Sequence, residues 1–216
     1  MKKLFILILL ISQYTFADSP LTSTDFYKAY IDVPLVQDAM KCKGKMTNEM
    51  LEYIYEETNP LEIKLAIINV VGWKFKGLKN SRKLFAYIMK KKKYKVDFLG
   101  KQRAFYVNAT SDELICYSYM KALDNYFDVS DALDVASLAL KKSPKSFAVN
   151  MIYNLIKAQG LSLHDEYCYA ANIFGTLKNN PNLILDMKKE SMSFIFEYMD
   201  YVDRDCKEER YVKRNI

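Results

Sequence analysis

Apolar positions recur along this chain with the period of an α-helix. Leu114, Ile115, Ser118, Tyr119, Ala122, Leu123 and Tyr126 trace one helical face, and Phe147, Met151, Ile152, Leu155 and Ile156 trace another. No stretch alternates apolar and polar residues between hairpin-type turns such as Asn-Gly, so strands are not expected. The pattern predicts an all-α fold, an irregular α-α superhelix or a helical bundle, of about eight to ten helices. They are expected over 22–31, 34–42, 47–57, 60–73, 80–93, 111–127, 130–142, 144–158, 163–178 and 182–203, with a charged, frayed tail after Asp205.

Local chemistry marks the helix starts. Proline suits the first helical turn because the N–H it lacks has no partner there, and a preceding Asn or Ser can cap the free amides. Asn59-Pro60, Ser143-Pro144 and Asn180-Pro181 carry that pairing, and Thr110-Ser111-Asp112-Glu113 has the form of a capping box. The almost unbroken apolar run LEIKLAIINVVGW, Leu61 to Trp73, predicts a helix covered on more than one side. Two proline-centred helix pairs, TNEMLEYIYEETNPLEIKLAIINVV and SDALDVASLALKKSPKSFAVNMIYNLI, and a third proline at 181 sit at multiples of roughly 40 residues. In this the segment 47–203 resembles HEAT-type helical-repeat proteins, which implies a superhelix of stacked helix pairs.

The first residues change the compartment. MKKLFILILLISQYTFA has a basic start, an apolar run from Leu4 to Ile11 and a polar stretch ending at Ala17, the layout of a secretory signal. Residues 1–17 are therefore expected to be a leader and 18–216 a single helical domain, exported to the periplasm or beyond the cell. The apolar run is too short to span a bilayer, so stable membrane insertion is not expected. Cys42, Cys116, Cys168 and Cys206 are an even number in a chain bound for an oxidising compartment, which predicts one or two disulfides. Their spacing contains no CxxC pair, so a zinc site is not expected.

Charge supplies the main candidate chemistry. The chain is +6 overall, yet residues 74–103 hold twelve Lys or Arg against the single acid Asp97, so the remainder is acidic. Concentrated like charge raises the free energy of the folded form and is relieved by an anionic surface. The residues expected to bind a partner are Lys79, Arg82, Lys83, Lys90, Lys91, Lys92, Lys93, Lys95, Lys101 and Arg103, with Tyr53, Tyr55, Tyr87, Tyr94 and Tyr106 nearest to them. Nucleic acid is disfavoured by export and by five Arg against 27 Lys, because Arg is the bidentate reader of phosphate and base edges. An acidic protein partner in the cell envelope fits best, and the chain resembles periplasmic immunity proteins in being small, helical and cysteine-bearing.

Catalysis is not expected. His164 is the sole histidine, and Cys168, four residues on, is expected to be oxidised in this compartment. The adjacent carboxylates Glu56-Glu57, Asp112-Glu113 and Asp165-Glu166 point to different sides of a helix, and Asp124, Asp128, Asp131 and Asp134 lack an EF-hand's glycine and terminal glutamate. No glycine-rich phosphate motif is present, so no cofactor is expected. Two other classes stand beside the binding reading: an envelope glycan or peptide hydrolase, which would depend on His164 or Glu166, and an accessory protein that sets its lysines on anionic lipid head groups.

Overall fold

The computed structural model describes residues 19–74, 77–93, 98–162 and 167–214. The leader, Tyr94 to Asp97, and His164 with its neighbours Leu163, Asp165 and Glu166 lie outside the described residues. After a 3-10 turn over Phe26–Tyr30 the helices are α1 (Pro34–Lys41), α2 (Asn48–Tyr55), α3 (Leu61–Val71), α4 (Asn80–Lys92), α5 (Phe98–Asn108), α6 (Ser111–Asp124), α7 (Ser130–Lys142), α8 (Phe147–Ser162), α9 (Tyr167–Lys178) and α10 (Lys189–Arg214). The protein is all-α, with no strand among the described residues beyond a single bridge between Ser146 and Ile184.

Helix α6 organises the molecule. Its start is the expected capping box, Thr110 accepting from the Glu113 N–H while Glu113 accepts from the Thr110 N–H. Along it Leu114, Ile115, Cys116, Tyr119, Met120, Ala122 and Leu123 are buried, and it packs against α2, α3, α4, α7 and α8. Small residues on α7 allow close approach, and the buried hydroxyls of Ser111 and Ser118 donate across the gap to the carbonyls of Ala139 (3.0 Å) and Ala132 (2.7 Å). Helix α3 is covered on several sides, by the 3-10 turn, α1, α2 and α6, as its apolar run predicts.

The 3-10 turn, the start of α3 and the residue before α10 meet. The Tyr30 hydroxyl donates to Glu62 (2.7 Å), the Lys188 N–H donates to the same carboxylate (2.8 Å), and the Lys188 ammonium donates to the Ala29 carbonyl (3.1 Å). The 3-10 turn therefore rests on α10. On α3, Asn69 ties the same turn down, accepting from the Tyr27 N–H and donating to the Thr24 carbonyl and the Tyr119 hydroxyl.

Several boundaries differ from the sequence expectation for tertiary reasons. Helix α8 begins at Phe147, three residues past Pro144: the Ser146 hydroxyl caps it by accepting from the Val149 N–H (3.1 Å), and Asp186 adds to the cap from a distance, accepting from the Ala148 N–H (2.7 Å) and the Ser146 hydroxyl. That capping draws 183–187 alongside 145–147, with Ile184 bonded to Lys145 and Phe147, which delays α10 to Lys189. The tail expected to fray after Asp205 continues as helix to Arg214. Helix α5 is an addition, held by Phe105 in a ring cluster with Phe85 (5.5 Å) and Tyr117 (5.2 Å).

Gly77 shows how tightly the approach to α4 is set. It has φ of +70°, and a Cβ there would lie 2.6 Å from the Asp124 carbonyl oxygen. Gly77→Ala is expected to cost about 3 kcal/mol, the sum of left-handed strain and a backbone clash, read as a lowered urea midpoint. A loss below about 0.5 kcal/mol, the usual limit of a harmless surface change, would show that this contact is not rigid.

Candidate functional site

The basic run becomes a short, well-anchored helix. The Asp124 carboxylate accepts from the N–H groups of Leu78 (3.1 Å) and Ser81 (2.8 Å) and from the Ser81 hydroxyl (2.7 Å), so the N-terminus of α4 is capped by a side chain of α6. That carboxylate also balances the partial positive charge at the helix start, where Lys79, Arg82 and Lys83 sit unfavourably. Buried Asn80 accepts from the Met46 N–H and donates to the Gly44 carbonyl, fixing the α1–α2 loop. Leu84, Ile88 and Met89 turn inward.

The opposite side of α4 is cationic. Lys79, Arg82, Lys83, Lys90 and Lys93 are all exposed, and their spacings of 3, 4, 11 and 14 residues from Lys79 place them on one stripe. Lys79 and Lys93 bound the helix with left-handed φ values of 58° and 52°. Among the described residues none of these five makes an ion pair or a side-chain hydrogen bond.

The other expected partner-binding residues are placed elsewhere. Lys91 turns toward α2, 3.5 Å from Glu52 and over the rings of Tyr87 (5.2 Å) and Tyr55 (6.0 Å). Its pKa is raised, chiefly by the neighbouring Tyr87 phenol and then by Glu52. Lys92 turns toward α6 and donates to Glu113 at 2.6 Å, a contact inside the fold. Lys101 and Arg103 lie on α5, a separate helix, and Lys95 is outside the described residues. The ten cations are thus one five-membered stripe, two residues held by the protein's own acids, two on another helix and one undescribed.

Among the described residues, several other candidate groups have structural partners; His164, Asp165 and Glu166 lie outside them. Cys168 is joined to Cys206, one bridge between α9 and α10, while Cys42 and Cys116 are free thiols. Cys116 is fully buried and burial pushes its thiol far up, which removes it as a nucleophile. Lys64 on α3, only 1% exposed, lies 3.6 Å from Asp112, whose carboxyl is raised by its own burial against the pull of that lysine. The pair sits too deep on the lysine side for a substrate to reach the ammonium. Asp128 accepts from Ser130 and Asp131 pairs with Lys121 at 3.0 Å, so the acidic cluster is dispersed into caps and pairs. No group of three metal-ligating side chains converges among the described residues.

An open groove of about 440 Å³ runs between α1 and α2, floored by Val33, Leu35 and Tyr53 and edged by Asp38, Glu52 and Glu56. Part of this edge is spoken for, since Asp38 pairs with Lys41 and Glu52 with Lys91. No described helix is long and apolar enough to cross a membrane. Comparison with protein-family models, with curated proteins and with solved structures returns no match, so the assignment of function rests on the molecule's own chemistry.

Proposed function

We propose that this is an exported helical binding protein of the periplasmic immunity or inhibitor kind, which docks an acidic protein partner on the outer face of α4. The observation that carries the reading is the row Lys79, Arg82, Lys83, Lys90 and Lys93, exposed on one stripe and unmatched by any described carboxylate. Like charges one helical turn apart repel, so the stripe weakens the free fold slightly and is relieved on meeting an anionic surface. Rim charges of this sort mainly steer encounter and select partners, which suits an inhibitor that must find one target in a crowded envelope. The secretory layout of residues 1–17 and the disulfide fit such a compartment.

The test is capture from envelope extract at low and high salt by the native protein and by the Lys83→Glu, Lys90→Glu, Lys93→Glu triple variant. Lys92 is left intact because it belongs to the fold. Capture of one acidic protein is expected, falling at least tenfold in the variant and steeply with salt, while the circular dichroism of the variant is unchanged. A folded variant that captures the same protein normally overturns the assignment. Salt-sensitive binding to vesicles rich in anionic lipid, with no protein captured, transfers the stripe to the lipid reading.

A further inference from the structure

The stripe on α4 is not uniform. Lys83 and Lys90, seven residues apart, stand almost in line along the helix, roughly 10 Å from each other at 1.5 Å per residue. Between them the surface is made by Ala86, exposed and only a methyl group high, and by Tyr87, half-buried one position on. Tyr87 is held in place: its ring meets Tyr55 edge-on at 5.9 Å, and Lys91 lies over both rings while paired to Glu52. The same contacts hold Lys91 toward α2, away from the stripe. The face therefore has a cationic cluster at each end, Lys79 with Arg82 and Lys83, then Lys90 with Lys93, and a shallow apolar seat between them.

Exposed ion pairs contribute little lasting affinity, whereas an apolar group desolvated at the centre of a charged ring contributes most of it. We infer that the partner presents one aliphatic or aromatic side chain, seated on Ala86 against Tyr87, between two acidic clusters spaced about two helical turns apart. This deepens the reading above and rests on it. Ala86 is then a specificity-determining position: it attracts nothing by charge, but its smallness admits the incoming side chain.

Two synthetic helical peptides of about 15 residues provide the probe, each with two Glu clusters placed to meet Lys83 and Lys90, one with Leu at the centre and the other with Ala. Titration at low salt is expected to show both binding, the Leu peptide about tenfold tighter, since a buried Leu gains several methylene equivalents over Ala. Ala86→Gln, a good helix former of unchanged charge, is expected to abolish that tenfold advantage and leave the Ala peptide's affinity unaltered. Equal affinities of the two peptides for the native protein, or an equal loss of both in Ala86→Gln, overturn the seat and leave the acidic-partner reading standing. If neither peptide binds at low salt, the reading and the seat fall together.

Discussion

Glu113→Ala is expected to destabilise the protein by about 3 kcal/mol, the most that any single exchange of a charged residue near α4 should cost. The carboxylate is 2% exposed and accepts from the Lys92 ammonium (2.6 Å) and the Thr110 N–H (2.8 Å). Its removal strands a cation whose side chain is only 19% exposed and deletes half of the capping box that starts α6. Breaking a buried pair from one side typically costs about 3–5 kcal/mol, and the residual exposure of Lys92, which lets its long stem reach toward water, sets the lower end. The control is the double exchange Lys92→Met with Glu113→Gln, which removes both charges, keeps an acceptor for Thr110 and is expected to return to within about 1 kcal/mol of the native protein. Urea unfolding followed by circular dichroism measures all three. A Glu113→Ala midpoint close to native would mean that Lys92 is free to join the exposed stripe. The contact would then be only one arrangement among several.

Opening the bridge between Cys168 and Cys206 is expected to have a comparable effect. The cysteines are 38 residues apart, and closing a loop of that length restrains the unfolded chain by about 4 kcal/mol in the entropic account. The Cys168→Ser, Cys206→Ser double variant should lose about 3–4 kcal/mol and melt about 10 °C lower, since α10 is held to the rest of the fold through α9 and the 3-10 turn. Scanning calorimetry of the variant against the oxidised native protein is the measurement. Alkylation of the native protein gives a companion result: half-buried Cys42 is labelled and Cys116 is spared, because the latter is enclosed and its thiol is raised by burial. An unchanged melting temperature in the double variant would show that the contacts of α10 with the 3-10 turn hold it without the bridge.

Much of the fold was legible along the chain because the relations that carry it are local. The face Leu114 to Tyr126 and the Thr110–Glu113 box involve residues three or four apart, and any helix formed there repeats them. The run from Leu61 announced a helix covered on several sides for the same reason, and α3 is so covered. The starts of α8 and α10 were not legible, because a carboxylate at 186 caps a helix that begins at 147. Nor was α5, whose recorded holds come from other helices: Phe105 reaches into a ring cluster built by α4 and α6, and the Lys142 ammonium donates to the Val107 and Ala109 carbonyls.

The candidate site divides the same way. Composition alone located the positive charge in residues 74–103, since a count of like residues needs no knowledge of packing. It could not separate Lys90 from Lys92, identical in chemistry and two positions apart, yet one exposed and the other bonded to a buried acid. Each step along a helix turns a side chain by about 100°, so neighbours face different partners, and the partner of Lys92 comes from 21 residues away. Four cysteines likewise allow three complete pairings, and only proximity in the folded chain selects Cys168 with Cys206 and leaves the other two as thiols. The sequence by itself determined the helical class and where the charge is concentrated, because both follow from neighbours in the chain. The tertiary structure alone decided which cations point outward, which sulfurs meet and where the helices begin, because those depend on groups that become neighbours only on folding.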